Sequence, residues 1–273
     1  MRAKKSLGQN FLVDGRVIDR IVGAVAPREG ETIIEIGPGQ GALTSRLLFS
    51  GARIVAIEFD RDLVPLLQEK FADNKNLVLL EADALALDFC SVVTHGDEAR
   101  VVANLPYYIS TAILQRLIEQ RSCIAEMILM LQREVVDRIA APASTSERGF
   151  LSVLVQAYCQ IEPLFDVSPA AFRPQPKVLS TVVRLRKHPF IEFGMKDETL
   201  LWKVVSAGFA QRRKTIQNNL RSASGKLKAM IEKAGGAGEL LYAAGLAPER
   251  RAQSLSLEEW LGLARKIEEA GEI

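Results

Sequence analysis

Apolar positions follow two alternating rhythms along the first two thirds of the chain. Val17, Ile18, Ile21, Val22 and Val25 recur at helical spacing behind Asp14, a suitable N-cap, and Pro27 and Gly30 close the pattern. Short, nearly unbroken apolar runs at 32–36, 53–58, 77–81, 101–103 and 127–131 predict strands. Helical stripes separate them: Leu43, Leu47 and Leu48; then Leu63, Leu66, Leu67 and Phe71 behind Asp60 as a cap; then 111–119. A further helix is expected after Gln132-Arg133-Glu134, running to about 140. Buried strands alternating with amphipathic helices predict a parallel sheet covered on both faces, with right-handed crossovers and ligand sites at the carboxyl ends of the strands.

Beyond 140 the rhythm changes. Residues 150–158 are read as helical, and 161–167 and 178–185 as an antiparallel strand pair joined by the Pro-rich loop 168–177. From Pro189 onward the expected elements are helical, at 198–210, 214–221 and 257–269, with a break at Gly235-Gly236. The expected organisation is therefore an α/β domain over 1–188, including an irregular N-terminal arm, and a small all-helical domain over 189–273.

The unusual residue clusters of the first domain all fall at predicted strand ends. Gly37-Pro38-Gly39-Gln40-Gly41-Ala42 lets backbone approach a ligand closely at a helix N-terminus. Glu58 ends the next strand, 19 positions after Gly39, where a carboxylate accepts both hydroxyls of a ribose. The same spacing satisfies a relaxed dinucleotide fingerprint, so a nicotinamide enzyme and an S-adenosylmethionine enzyme both stay open here. Asp83, at the end of the third run, is placed to accept from an adenine amino group. Asn104-Leu105-Pro106-Tyr107 follows the fourth run and offers no His, Lys or Tyr–Lys acid for hydride transfer. These two features favour S-adenosylmethionine.

The tetrapeptide suits a particular chemistry. An adenine amine is a poor nucleophile because its lone pair is delocalised into the ring. Acceptors at its two hydrogens, the Asn104 side-chain oxygen and the Leu105 carbonyl, draw it toward a form with an available lone pair. Pro106 stiffens the loop, Tyr107 offers a stacking face, and Tyr108 is read as a packing residue. The target base must arrive unpaired or flipped. Phe172, in the Pro-rich loop, is either the second face of a base sandwich or a core residue beneath that loop.

Composition bounds the alternatives. At 48% apolar and 25% charged residues, the chain has a soluble globular profile. Its apolar runs are far short of the ~20 residues of a membrane span. The basic N-terminus lacks an apolar signal core, so a cytoplasmic protein is expected. Three scattered cysteines, Cys90, Cys123 and Cys159, argue against a disulfide frame or a zinc site, and no metal is expected. Only two histidines occur, His95 and His188, which argues against imidazole chemistry as the centre. Net charge is +2, yet 184–233 holds twelve Lys/Arg against four Asp/Glu. That tract reads as a surface for a polyanion, with Arg212, Arg213 and Lys214 as its candidate RNA contacts and Lys177 as another in the Pro-rich loop. An ordinary solvated helix face is the plain alternative. No oligomer interface is suggested, so a monomer is expected.

Four motifs together resemble the ribosomal RNA adenine dimethylase family, closest to its bacterial small-subunit branch: Lys5-Ser-Leu-Gly-Gln-Asn-Phe-Leu12, Glu35-Ile-Gly-Pro-Gly-Gln-Gly-Ala-Leu-Thr44, Asn104-Leu-Pro-Tyr-Tyr-Ile-Ser110 and Phe172-Arg-Pro-Gln-Pro-Lys-Val178. The resemblance extends to Arg212-Arg-Lys-Thr-Ile-Gln-Asn-Asn-Leu220. It implies a Rossmann-like class I S-adenosylmethionine-dependent methyltransferase fold. Gln9, Asn10 and Leu12 would contact the donor from the arm, with Gly37 at its methionine end. Glu58 would hold the ribose and Asp83 the adenine. Asn104 would activate the target amine, and Tyr107 and Phe172 would pack the target base. The implied reaction makes N6,N6-dimethyladenosines of two adjacent adenosines in a hairpin near the 3′ end of 16S rRNA, during small-subunit assembly. A large-subunit dimethylase is the nearest alternative. A non-catalytic assembly or transcription factor on the same fold is the alternative from another class.

Overall fold

The computed structural model describes residues 3–4, 7–94, 96–189 and 193–272. Lys5 and Ser6 of the arm motif, together with His95 and Glu192, lie outside the described residues.

The first part of the chain alternates as its apolar rhythm requires. A two-residue strand β1 (Phe11–Leu12) leads into α1 (Gly15–Val25), whose N-terminus is capped by the Asp14 carboxylate accepting from the amides of Arg16 and Val17. There follow β2 (Thr32–Ile36), α2 (Ala42–Leu47), β3 (Arg53–Glu58), α3 (Val64–Lys70), β4 (Leu77–Glu81), β5 (Ala99–Asn104), α4 (Ser110–Glu119) and β6 (Ile124–Gln132). After α5 (Arg133–Ala140) and α6 (Phe150–Tyr158) come β7 (Cys159–Val167), the short β8 (Phe172–Arg173) and β9 (Ser180–Lys187). The remaining helices are α7 (Glu198–Gly208), α8 (Ile216–Arg221), α9 (Gly225–Lys233), α10 (Ala237–Ala243) and α11 (Leu257–Glu272).

Seven strands form one sheet in the order β4-β3-β2-β5-β6-β9-β7. The first five are mutually parallel, and β9 is antiparallel to both β6 and β7. The anticipated antiparallel pair is therefore present, with β9 inserted between its partner and the parallel strands. β2 is buried at every position, as a central strand covered on both faces must be. Ile33, Ile54, Val102, Ile128 and Val182 of the sheet pack with Ile18, Ile21, Val25, Leu43 and Leu47 in one apolar cluster.

The described chain divides into two compact units, 1–136 with 159–187, and 137–158 with 188–273. The last crossing lies between residues 187 and 188. The segment 137–158, placed with the sheet on sequence grounds, groups instead with the C-terminal helices. In this helical unit Trp260 is fully buried, and a Cβ at Gly208 would stand 2.4 Å from its ring, so α7 needs a glycine there.

One cysteine expectation is corrected. Cys90 and Cys123 form a disulfide, with a Cα–Cα distance of 5.4 Å across a separation of 33 residues. Each lies in a single turn, after β4 and after α4, and Gln120 joins the two turns by donating to the Leu87 carbonyl and accepting from the Phe89 amide. Their proximity is made by the intervening β5 and α4, so spacing along the chain carries no sign of it. Cys159 is free and buried, and burial pushes its thiol up to about 12.

Candidate functional site

β2 and β5 are neighbours in the sheet although β3 and β4 come between them in the chain. Successive strands are added outward on one side of β2 and then on the other. A crevice opens beyond the carboxyl ends at such a switch. Here it is a cavity of about 320 Å³, within the range of small-ligand sites. Its walls include Gly37 and Gly39 after β2, Glu58 at the end of β3, Asp83 after β4, and Asn104 to Tyr108 at and after the end of β5. Leu7 to Phe11 of the arm supply the remaining side.

The glycine turn is built on backbone that only glycine adopts readily. Gly37 and Gly39 have φ of 71° and 60°. A Cβ on Gly39 would stand 3.1 Å from the Phe11 ring, so a glycine is what lets the arm lie against the turn. The Gly39 amide donates to Glu58 Oε2 at 3.0 Å, and the Asp60 amide donates to Glu58 Oε1 at 2.9 Å. Each carboxylate oxygen keeps a further acceptor position. Burial raises the Glu58 pKa and those two amides oppose it. Asp83 is exposed and accepts from the Leu85 amide at 2.9 Å, which shapes the turn beyond β4.

Asn104 is held from the arm side. Its Nδ2 donates to the Asn10 carbonyl at 3.1 Å, leaving Oδ1 as the acceptor end of the amide. The Leu105 side chain is buried, and its amide donates to the Met130 carbonyl of β6 at 3.3 Å. Pro106 accepts from the Ile109 amide at 3.2 Å in the turn that leads into α4. The Tyr107 hydroxyl shares a 2.7 Å hydrogen bond with Ser180 Oγ, and burial raises its pKa. Tyr108, expected to pack, is 60% exposed and lines the cavity, with Gly8 of the arm against its ring.

Other expected positions lie differently. Phe172 is 1% exposed and sits in the core cluster with Leu12, to which it is paired across β1 and β8. Neither residue is on the cavity wall, so the core reading of Phe172 replaces the sandwich, and Leu12 supports the arm from beneath. Their burial follows from that two-residue pairing, which presses both side chains onto the sheet. Asp60 does not cap α3 with its side chain. Its carbonyl accepts from Leu63 and Val64, while its carboxylate reaches back to the arm. Arg212, Arg213 and Lys214 are exposed in the turn between α7 and α8, and Arg212 donates to the carbonyls of Ser146 and Arg148 within its own unit. Lys177 is exposed before β9. The sequence presents Asp60 only as a helix cap and Tyr108 only as a packing residue, and it does not single out Ser180. Tyr108 alone had a visible signal, as the second half of a tyrosine doublet.

Among the described residues no group of three or more His, Cys, Asp and Glu side chains is arranged to hold a metal, and no helix is long and apolar enough to cross a membrane.

Glu35, in the middle of β2, is 1% exposed and accepts from Thr44 Oγ1 at 2.7 Å. Burial pushes its carboxyl from 4.5 up to about 7. Between those values the folded chain keeps a proton that the unfolded chain has released. Stability therefore falls as pH rises from the lower value through the upper one, by about 3 kcal/mol in all. Glu35→Gln keeps an acceptor for Thr44 and should remove this dependence. Urea unfolding of both proteins at mildly acidic and mildly alkaline pH checks it, and identical pH slopes would refute it.

The ribosomal RNA adenine dimethylase family model matches residues 1–264. The chain is 46% identical over 270 residues to ribosomal RNA small subunit methyltransferase A of Pseudomonas aeruginosa, covering 98% of this chain and 96% of that one. It is 44% identical over 266 residues to the protein of the same name from Pseudomonas putida, covering 97% and 95%. The fold is similar to a crystal structure of a dimethyladenosine transferase from Plasmodium falciparum, with a TM-score of 0.80 at 23% identity over 96% of this chain and 98% of that one. It is also similar to the 23S rRNA methyltransferase ErmE, with a TM-score of 0.65 at 25% identity over 94% and 99%. With a mostly parallel sheet, a cavity at its switch point and a family match across nearly its whole length, the chain belongs to the ribosomal RNA adenine dimethylases.

Proposed function

We propose that this protein transfers methyl groups from S-adenosylmethionine to the N6 amines of two adjacent adenosines in a hairpin loop near the 3′ end of 16S rRNA, during small-subunit assembly. The observation that carries the reading is the side chain of Asn104. It lies at the switch-point cavity with its nitrogen engaged by the arm and its oxygen as the acceptor end. The near full-length likeness to proteins named small subunit methyltransferase A supports small-subunit RNA as the substrate.

The residues present fit the donor. Glu58 has acceptor capacity left for two ribose hydroxyls, and Asp83 is exposed where an adenine amino group needs an acceptor. Phe59 and Leu85, apolar and exposed on the cavity wall, offer faces for the purine. Gly37 leaves open space where a side chain would stand, suited to the methionine end. Bound there, S-adenosylmethionine supplies an electrophilic methyl group.

On the other side, Asn104 Oδ1 and the Leu105 carbonyl accept from the target amine and turn its lone pair toward that methyl. The buried Leu105 side chain and its bond to β6 fix the carbonyl's position, and Pro106 removes freedom from the loop. Tyr107 and the exposed Tyr108 give the base aromatic surface. As the new N–C bond forms, the methyl's bond to sulfur breaks and the electron pair stays on sulfur, which leaves as a neutral thioether. The amine then loses its proton, so positioning supplies most of the rate and no strong base is required.

Incubation with assembling small subunits and, separately, with protein-free large-subunit RNA separates this reading from a large-subunit dimethylase. Methylation of the large-subunit RNA alone would overturn it. The exposed turn at Arg213 and Lys214 is proposed as part of the RNA surface. Replacing both by Gln should weaken subunit binding and lower the slope of log affinity against log salt by about 1.5–2. An unchanged slope would place the RNA elsewhere. Arg212 is spared in this variant because it braces its own unit.

A further inference from the structure

We propose that Asp60 is a positioning residue that seats the N-terminal arm over the cavity, and that retention of the methyl donor depends on this seat. The second half rests on the functional reading above; the first does not. Asp60 is 3% exposed, and among the described residues it is not on the cavity wall, so contact with a ligand does not explain its burial. Its carboxylate takes Lys4 Nζ at 2.5 Å, Gln9 Nε2 at 2.6 Å and the Asp62 amide at 3.1 Å. Two of these three donors come from the arm. A buried carboxylate is tolerated only when it is paired and hydrogen-bonded. Undocking the arm would leave this one with a single local donor.

The contact is double-ended. Gln9 Oε1 accepts from the Lys4 amide at 2.8 Å while its Nε2 holds Asp60, so one side chain fixes the arm's own turn and its attachment. Lys4 also reaches Asp62 at 2.6 Å. The Asp60 amide, in turn, donates to Glu58. One short loop thus holds both the arm and the carboxylate assigned to the ribose. From Gln9 the arm continues to Asn10, whose carbonyl takes Asn104, and to Phe11, which covers Gly39. A ligand held by Glu58 beneath the arm favours the seated arm, and the seated arm must favour the ligand to the same extent.

The experiment pairs amide hydrogen exchange at residues 7–11 in donor-free protein with stopped-flow dissociation of S-adenosylmethionine. The proteins are wild type, Asp60→Asn, Lys4→Met, Gln9→Ala and the Asp60→Asn/Gln9→Ala double variant. Asp60→Asn is expected to speed arm exchange and donor release by about tenfold or more, with kcat at saturating donor within about twofold. Lys4→Met leaves the 60–62 turn intact and should move both readouts the same way by a smaller factor. Because Asp60 acts through both Gln9 and Lys4, Asp60→Asn should add less in the Gln9→Ala background than it does in wild type. Unchanged arm exchange in both Asp60→Asn and Lys4→Met, or fully multiplicative losses in the double variant, would overturn the proposal. If wild type binds no donor, the functional reading and the retention half fall together, and the exchange result still decides whether Asp60 seats the arm.

Discussion

Asn104→Ala should reduce methyl transfer by about a hundred- to a thousandfold while raising the donor dissociation constant only a few-fold. The first figure is that of a lost, preorganised polar contact to the reacting group. The second follows from the one hydrogen bond that Asn104 gives the arm, to the Asn10 carbonyl. That bond is a single one among several. The arm also keeps its links to Asp60, its Phe11 contact with Gly39 and its pairing with β8. Asn104→Asp makes a sharper comparison. It retains an oxygen for the target amine but sets a carboxylate against the Asn10 carbonyl, so it should lose donor affinity more than alanine does. Calorimetry for the donor and single-turnover methylation for the chemistry measure the two effects separately. If alanine weakened the donor as much as it slowed transfer, Asn104 would be a donor ligand and its role toward the amine would fall.

The positions proposed for this chemistry stand out in the sequence because they sit where elements end. Nearly unbroken apolar runs set the bounds of β2, β3 and β4 residue for residue, and a strand's end is where a parallel sheet exposes its ligands. Glu58, Asp83 and Asn104 stand out on that ground, and all three line the cavity. What escaped notice is made by contacts between distant segments. Asp60 reads locally as a helix cap, and only the folded arm shows that its carboxylate is spent on Lys4 and Gln9. Phe172 carries the same letter whether it stacks on a base or fills a core. A two-residue pairing with Leu12 decides for the core. The Cys90–Cys123 bridge depends on how β5 and α4 return the chain. Helices α9 and α10 are short, and the glycines at 235 and 236 between them obscure any continuous stripe.

Glu58→Ala should raise the donor dissociation constant about ten- to a hundredfold, with kcat at saturating donor changed far less. A hydrogen bond to a charged group contributes about 1.5–3 kcal/mol, and about 1.4 kcal/mol is tenfold in affinity. The carboxylate has two duties here. Its remaining acceptor positions suit ribose hydroxyls, and its present bonds hold the Gly39 and Asp60 amides. Alanine removes both, so part of the loss would come from a looser glycine turn and arm. Glu58→Gln separates the contributions. Its single carbonyl oxygen can serve only one of the two amides, and its NH2 group would face the other donor. Glutamine should therefore recover little of the affinity, although it conserves size and polarity. Amide exchange at 37–41 and at 60–62 in donor-free protein reports the loosening directly. Should Glu58→Ala bind donor normally and lose only turnover, the ribose assignment would be wrong. Glu58 would then have to act on the reacting groups, from a place where two backbone amides already hold it.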